Sequence, residues 1–209
     1  MASLSVLLAV VTCEARAAQA AAQRATWVKD CGHDVRFFLA AQSRTALADE
    51  VFLDVPDDYE GLPAKVRAVS RWVLERDYTV MLKLDDDTLC WPSRLVIPAG
   101  HYTGWKQAWR DKNEWCAGLA YWLDRTAMEV VAHAEFTKQT AEDHWVGTVL
   151  REAGILPDAI TNGQLQWIGK CVNGVRTSGR LPHDLKYRLS RAYVAGEFTP
   201  EEMPVLYAG

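Results

Sequence analysis

The chain has 209 residues, a formal net charge of −4 at pH 7 and 24% charged residues. This length predicts a single domain with a sizeable core, and the negative charge provides no electrostatic footprint for nucleic acid or an anionic membrane. The five cysteines lack zinc or redox spacing, which predicts free thiols in a reducing compartment. Because the apolar stretch Ser3–Val11 lacks a basic flank and no run is long enough to span a bilayer, we expect a cytoplasmic protein without stable membrane insertion.

Alternating strands and helices are predicted through the first half of the chain. The aliphatic run Leu4–Thr12 indicates a fully buried strand, as in a parallel sheet, and the Ala-rich segment Glu14–Lys29 indicates a helix. Further strands are predicted at Asp34–Ala40 and Glu50–Val55, and an amphipathic helix at Leu62–Arg76. A strand, a helix and a second strand in succession form a right-handed crossover between parallel strands.

The second half of the chain predicts a more mixed set of elements. Segment His101–Asn113 is aromatic and polar, which indicates either a connection lining a site or an edge hairpin. Gly118, in a small and aromatic stretch, would let a backbone approach a ligand closely. Helices are predicted at Asp124–Ala134, capped by its first residue, and at Glu142–Ala153, while Asn162-Gly163 is a hairpin signal. Together with the first half, this pattern predicts an α/β sandwich with a mostly parallel sheet.

Three consecutive carboxylates, Asp85, Asp86 and Asp87, follow the mostly apolar run Thr79–Leu84. The run predicts a buried strand, and three adjacent carboxylates at the end of such a strand are costly to keep ionised. A divalent cation removes that cost, and oxygen ligands suit Mg²⁺ or Mn²⁺. Since α/β sheets bind ligands at the open ends of strands, we predict a metal site that holds a phosphorylated ligand. The alternative is a solvated polar turn in which Asp87 caps a following helix.

Two further charged features have both a structural and a functional interpretation. Lys83 interrupts the apolar run, and because a buried lysine is rare unless paired, an acidic partner is predicted for it. Glu142 and Asp143 begin a predicted helix, where the helix dipole alone would favour carboxylates. The functional alternative is a general base held near an acceptor hydroxyl, across from a metal-bound leaving group.

Nine tryptophans are unusual for a chain of this length. An apolar ring face suits the face of a sugar, so some are predicted to line a groove, while ordinary core packing accounts for most of them. The candidates for a sugar platform are Trp105, Trp109, Trp115 and Trp145.

Charged and aromatic landmarks occur in a fixed order between about residues 4 and 155. They comprise an Arg-x-Thr-Trp at 24–27, then Glu50, Asp54, Asp58-Tyr59, Leu62, Lys65 and Trp72, then Lys83 with the Asp triplet, Gly118–Asp124, and Glu142–Gly147. In this order and at these intervals the chain resembles the β1,3-glycosyltransferase family, which includes β1,3-galactosyltransferases, β1,3-N-acetylglucosaminyltransferases and, more distantly, Fringe. It departs from the family pattern at Gln23, Asp124 and His144, where the family usually has an aliphatic residue, Ser and Val.

The resemblance implies a single GT-A-type domain over residues 1–209, with a nucleotide-binding part over about 1–90 and an acceptor-binding part over about 91–209. It implies inverting transfer of a hexose (galactose, N-acetylglucosamine or glucose) from a UDP-sugar to a hydroxyl of a glycan, with Mn²⁺ or Mg²⁺ as cofactor. The cation would neutralise charge that develops on the diphosphate leaving group. Asp143 would be the general base, with Glu142 the second choice.

The resemblance also implies roles for other residues. The metal ligands would be Asp87, Asp85 and His183, with His144 as the alternative to His183. The residues that hold the sugar nucleotide would be Thr12, Cys13, Arg24, Asp54, Asp58, Lys83, Asp85 and Asp86.

Two other classes of protein are compatible with these residues. A catalytically silent protein of the same fold would bind a nucleotide sugar or a carbohydrate, although both the Asp triplet and Asp143 are intact. A metal-dependent phosphohydrolase or nucleotidyltransferase would need a second carboxylate cluster, or a nucleophile after the first strand, where Thr12-Cys13 offers no Asp.

Overall fold

The computed structural model describes residues 4–40, 44–108, 113–135, 141–160, 192 and 194–208, and the backbone alone of 165–167, 170–172 and 175–178. Its strands are β1 (Val6–Val11), β2 (Asp34–Ala40), β3 (Glu50–Leu53), β4 (Val80–Asp85), β5 (Thr88–Cys90), β6 (Tyr102–Ala108), β7 (Glu114–Asp124), β8 (Asp158–Ala159), β9 (Leu165–Trp167), β10 (Lys170–Val172), β11 (Val175–Ser178) and β12 (Val194–Gly196). Its helices are α1 (Ala17–Ala25), α2 (Leu62–Leu74), α3 (Arg125–His133), α4 (Glu142–Glu152) and α5 (Glu202–Tyr207).

A seven-stranded sheet forms the centre of the molecule, in the order β3-β2-β1-β4-β7-β6-β8. Parallel pairing joins β3, β2, β1 and β4, whereas β7 runs antiparallel to both β4 and β6. Parallel neighbours require crossover connections, and helices α1 and α2 lie in these crossovers. The predicted α/β architecture with a mostly parallel central sheet is confirmed. A separate small sheet joins β5, β12 and β9.

Strand β1 is buried on both faces of the sheet, which explains its unbroken aliphatic sequence. Leu8 and Val10 belong to a core cluster that includes Trp27 and alanines of α1. Leu7 and Ala9, which alternate with them, belong to a second cluster completed by side chains of α2, α3 and α4. The carboxyl end of β1 therefore belongs to a strand that is fixed by packing on both faces of the sheet.

The predicted helices form, with one difference in extent. Helix α3 begins after Asp124, whose Oδ1 accepts a hydrogen bond from the amide of Ala127 at 2.9 Å, so the predicted cap is confirmed. The predicted helix Glu14–Lys29 is wrong in extent, because the α-helix ends at Ala25. The hydroxyl of Thr26 donates to the carbonyl of Ala22 at 2.7 Å, and a short 3₁₀ turn follows.

Strand β7 has 11 residues, although its small and aromatic sequence predicted no regular element. It is placed by its neighbours β4 and β6, which pair with it on both sides. The described part of His101–Asn113 forms one strand, β6, which pairs with β7 on one side and with β8 on the other, so it is not the predicted edge hairpin. The predicted hairpin at Asn162-Gly163 lies outside the described residues. Among the helices that the structure describes, none is both long and apolar enough to cross a bilayer.

Candidate active site

A cleft of about 340 Å³ opens at the carboxyl ends of β1 and β4. The two strands pair so that Val11 lies opposite Asp85, which brings the segment after β1 alongside the Asp triplet. Residues 57–59 and the first turns of α2 complete the walls. Parallel α/β sheets bind ligands at this edge, and the predicted position of the triplet agrees with it.

Asp86 is the most deeply buried member of the triplet, with 3% of its surface exposed. Its Oδ2 accepts a hydrogen bond from the hydroxyl of Thr12 at 2.6 Å, and its Oδ1 binds Arg16 at 2.7 Å from Nε and 2.6 Å from Nη2. The same guanidinium reaches Asp87 at 2.9 Å. Strand β5 follows the triplet directly, so the alternative of a solvated turn capping a helix is wrong.

Asp87 keeps one carboxylate oxygen without a partner. Its Oδ1 is buried and accepts no hydrogen bond from the part of the chain that the structure describes. Burial, followed by the charges of Asp85 and Asp86, raises the pKa of Asp87 to about 7 against the attraction of Arg16. The surrounding cations therefore do not balance the negative charge of the triplet. A hard divalent cation, which prefers oxygen ligands, fits its carboxylates.

The protein alone does not build a complete metal site within the described residues. No three carboxylate, imidazole or thiol side chains among them converge as a ligand set. The predicted ligand His183 lies outside the described part of the chain. Glu197, which follows β12 in a left-handed conformation with φ of 33°, is close enough to add its charge to the pKa shift of Asp87. Magnesium-type sites commonly use one or two carboxylates and take their remaining ligands from water and substrate phosphates.

Two cations of the cleft were missed as site residues by sequence reasoning. Arg16 lies within the predicted helix Glu14–Lys29 and has no predicted role, yet in the structure it lies in the 3₁₀ turn after β1 and binds Asp86 and Asp87. Lys65 of α2 was a landmark of the family resemblance without an assigned role. It is 2% exposed and donates to the carbonyl of Thr12 at 2.9 Å and to Asp57 at 2.6 Å. A basic residue shortly after β1 is the signal that could have identified Arg16.

Gln23 explains one departure from the family pattern. Its side chain is fully buried, and its Nε2 donates to the carbonyl of Asp85 at 3.1 Å and to the carbonyl of Thr88 at 2.9 Å. Both carbonyls flank the turn that carries the triplet. An aliphatic residue could not donate these hydrogen bonds, so in this chain Gln23 holds both ends of the turn in place.

The second acidic group begins helix α4. Glu142 is 6% exposed and accepts hydrogen bonds from Lys83 at 3.2 Å and from the hydroxyl of Tyr121. Burial raises its pKa to about 7, although Lys83 opposes the shift. Lys83 also binds Asp85 at 2.6 Å, so its predicted acidic partnership is confirmed. Burial alone would lower the pKa of Lys83, but the two carboxylates outweigh it and raise that pKa above its ordinary value.

Asp143 is half-buried and oriented by backbone amides. Its Oδ2 accepts from the amide of Gly118 at 3.0 Å, and its Oδ1 from the amide of His144 at 2.8 Å. Tyr59 lines the wall of the cleft beside the triplet. Its pKa is raised by burial and then by the charges of Asp143, Glu142 and Asp85.

A glycine allows α4 to approach β7 closely enough to place these carboxylates. A Cβ built on Gly147 would lie 2.4 Å from the Cβ of Trp115, a distance that real side chains do not adopt. The equivalent atom on Gly118 would lie 3.5 Å from the Cβ of Asp143, which is ordinary contact. The close approach of α4 to β7 is therefore at Gly147, while the predicted approach of a ligand to the backbone at Gly118 stays a prediction.

Of the other residues predicted to hold the sugar nucleotide, some line the cleft and some lie outside it. Asp58 and Cys13 line the cleft. Arg24 lies outside it and pairs with Asp49 at 2.8 Å and Glu50 at 3.0 Å, and Asp54 is exposed and outside the cleft as well.

The tryptophans predicted to form a sugar platform also differ in burial and in position. Trp145 is 3% exposed and belongs to the core, whereas Trp105 is 37% exposed. Trp115 packs edge-on against His144 with ring centroids 5.3 Å apart, which places His144 beside Asp143 and not at the triplet. Trp109 lies outside the described residues.

The comparisons with known proteins define the class of fold. Neither protein-family models nor the sequences of curated proteins match this chain. Solved structures do match in fold, and three of them are described here, each at 9% sequence identity. The first is a glycosyltransferase involved in the glycosylation of the major capsid of PBCV-1, with a TM-score of 0.58 over 98% of this chain and 100% of that chain.

Two further similar structures are also described as glycosyltransferases. The WbbM bifunctional glycosyltransferase matches with a TM-score of 0.57 over all of this chain, which spans 50% of the WbbM chain. The galactosyltransferase LgtC, in complex with donor and acceptor sugar analogues, matches with a TM-score of 0.52 over 97% of this chain and 95% of LgtC. The predicted GT-A type of fold is thereby confirmed, while the β1,3 family resemblance stays a prediction.

Proposed function

We propose that the protein is a metal-dependent glycosyltransferase. It would transfer a hexose (galactose, N-acetylglucosamine or glucose) from a UDP-sugar to a hydroxyl of a glycan with inversion. The observation that carries the proposal is the buried Oδ1 of Asp87, which accepts no hydrogen bond from the described residues and belongs to a triplet that Lys83 joins to the carboxylates of α4. The GT-A type of fold, shared with three glycosyltransferases, supports it.

The triplet side of the cleft would hold the leaving group. Asp87, with Asp85, would bind Mn²⁺ or Mg²⁺, and this cation would neutralise the charge that develops on the diphosphate. Arg16 fixes the carboxylates of Asp86 and Asp87 in place through charge-assisted hydrogen bonds. Asp58, Thr12 and Cys13 would contact the nucleotide from the remaining walls.

The α4 side of the cleft would receive the acceptor. Asp143 would accept the proton of the attacking hydroxyl while the oxygen bonds to the anomeric carbon and the bond to the diphosphate breaks. Its two backbone hydrogen bonds fix the carboxylate without neutralising it. A base and a leaving group on opposite sides of the sugar favour a single displacement, which inverts the anomeric centre.

The test is release of UDP from UDP-galactose, UDP-glucose and UDP-N-acetylglucosamine by the purified protein, with Mn²⁺ and with EDTA. We expect turnover with one of these sugar nucleotides, lost in EDTA and reduced about 10²-fold or more in Asp87→Asn. Asp77→Asn is the matched control, because Asp77 is exposed before the opposite end of β4. Its turnover should equal that of the unaltered protein.

Two outcomes would contradict the proposal. Absence of binding to any uridine nucleotide, measured by calorimetry with Mn²⁺ present, would reject it outright. The second outcome is tight metal-dependent binding with neither transfer to a panel of mono- and oligosaccharide acceptors nor slow hydrolysis of the bound sugar nucleotide. It would instead identify a catalytically silent binding protein of the same fold.

A further inference from the structure

Lys83 joins three separate elements of the structure. Its ammonium donates to Asp85 of its own strand at 2.6 Å, to the carbonyl of Gly118 on β7 at 2.6 Å and to Glu142 on α4 at 3.2 Å. A lysine ammonium has three N–H groups, and these three acceptors use all of them. The side chain is 2% exposed, so its position is set by these contacts and not by solvent.

The residue that Lys83 binds on β7 is also the residue that orients the proposed base. The carbonyl of Gly118 accepts from Lys83, and the amide of Gly118 donates to Asp143 at 3.0 Å. A continuous series of hydrogen bonds therefore runs from Asp85 of the triplet through Lys83 and Gly118 to Asp143. It joins the triplet, where the leaving group would lie, to the start of α4, where the acceptor would lie.

Glu142 completes the connection and is itself fully engaged. Its Oε2 accepts from Lys83, and its Oε1 accepts from the hydroxyl of Tyr121 on β7. Tyr121 lies opposite Lys83 in the β4–β7 ladder, and its ring centre is 5.4 Å from the ammonium. Both oxygens of Glu142 are thus occupied by protein groups and the residue is buried, whereas Asp143, whose oxygens accept from backbone amides, is half-buried.

We infer that Lys83 and Glu142 are positioning residues that set the placement of Asp143 relative to the Asp triplet, so that Lys83 is not a ligand of the sugar nucleotide. The inference rests on the proposed function, and it replaces the sequence prediction for Lys83. It also assigns the general base to Asp143 alone, since Glu142 serves as the buried partner of the lysine.

A double substitution separates positioning from stability. Lys83→Met alone leaves Glu142 buried without its cation, which destabilises the fold. Lys83→Met combined with Glu142→Leu replaces the buried pair by apolar side chains of similar size, a change that often restores stability. The double variant should therefore be more stable than Lys83→Met alone, although the buried hydroxyl of Tyr121 loses its acceptor, and it should lack the connection to Gly118.

The first readout needs neither metal nor substrate. In the unaltered protein the ¹H and ¹⁵N shifts of the Gly118 amide should follow the titration of the Asp143 carboxyl, because the two are hydrogen-bonded. Asp143→Asn, which cannot titrate, is the control. In the double variant we expect this pH-dependent shift to be lost or reduced about severalfold, since the carbonyl of Gly118 is no longer held.

The second readout compares nucleotide binding with transfer. We expect the Kd for UDP with Mn²⁺ to change by less than about twofold and kcat for transfer to fall about 10²-fold, since small misplacements of reacting groups have effects of this size. Arg71→Met is the control for stability, because Arg71 donates to the carbonyl of Ala132 between α2 and α3. It should retain both parameters.

Each result either supports or overturns the inference. A stable double variant that keeps both the Gly118 titration and kcat shows that Lys83 is only structural. Equal losses in UDP affinity and kcat show that it is a ligand of the nucleotide. If the double variant does not fold, Glu142→Gln gives the same comparison with a smaller change in charge. Failure of the unaltered protein to bind UDP would reject the proposed function, while the Gly118 titration still decides the positioning role.

Discussion

The two acidic groups of the cleft differ in how their charge is balanced. The triplet Asp85–Asp87 is held by Arg16 and Lys83, yet one buried oxygen of Asp87 has no partner among the described residues. In the pair at the start of α4, both oxygens of Glu142 and both of Asp143 accept hydrogen bonds from protein groups. The first group is left incomplete by the protein, whereas the second is complete without a ligand.

This difference assigns the two groups different chemistry. A carboxylate cluster with unsatisfied buried oxygen is costly by itself and gains most from a bound cation. A carboxylate held by backbone amides keeps its position without a ligand, as a group that removes a proton at one fixed point must. Substitutions that remove the cation-binding carboxylate of the triplet or the amide-held carboxylate of Asp143 should therefore remove activity. Substitutions that keep both should be tolerated.

The largest effect is expected from Asp143→Asn. An amide keeps the size of the side chain but cannot accept a proton, so kcat for transfer should fall by about 10²- to 10⁴-fold. Affinity for UDP with Mn²⁺ should be retained, because Asp143 is not part of the triplet that would hold the metal and the diphosphate. Single-turnover transfer and calorimetry measure the two quantities. Full activity in this variant, with an inactive Glu142→Gln, would reverse the roles of the two residues.

Gly147→Ala should have the next largest effect, because the added Cβ would lie 2.4 Å from Trp115 and must push α4 away from β7. We expect a net loss of stability of about 1–3 kcal/mol, partly offset by the better helix propensity of alanine, and a clear loss of transfer. Gly118→Ala is the steric comparison, and it should keep its stability since its Cβ has ordinary contacts. Equal unfolding curves for both variants would show that the close approach is not required.

Glu142→Gln should change how stability depends on pH. The pKa of Glu142 is raised from 4.5 to about 7, so the folded protein binds this proton more tightly than the unfolded chain does. The free energy of unfolding then falls as pH rises through this window. Glutamine cannot titrate, so the variant should lack this loss, which approaches about 1.4 kcal/mol per pH unit. Urea unfolding across the window measures it, and parallel pH profiles would contradict the shift.

Gln23→Leu should have the smallest effect on transfer and should act on the triplet side alone. The substitution removes buried hydrogen bonds to the carbonyls of Asp85 and Thr88, which costs about 1–3 kcal/mol. Affinity for Mn²⁺ should weaken as the turn loosens, and titration calorimetry measures this. Ser70→Ala, which removes a buried hydrogen bond within α2, is the control and should leave metal binding unchanged.

Local sequence patterns determined most of the elements and one essential pairing. The continuous aliphatic run of β1, the amphipathic period of α2 and the Asp124 cap are signals read over a few neighbouring residues, and each is present in the structure. The pairing of Lys83 with an acidic group followed from burial alone, since a buried ammonium requires acceptors.

Only the tertiary structure decided which charges meet. Thr12 and Asp86 are 74 positions apart and touch because β1 and β4 are neighbours in the sheet. The same strand order brings Arg16 to the triplet, while Arg24 is engaged by Asp49 and Glu50. Strand β7 needed its neighbours for the same reason, because hydrogen bonds between strands depend on chain segments far apart in sequence, which no local period encodes.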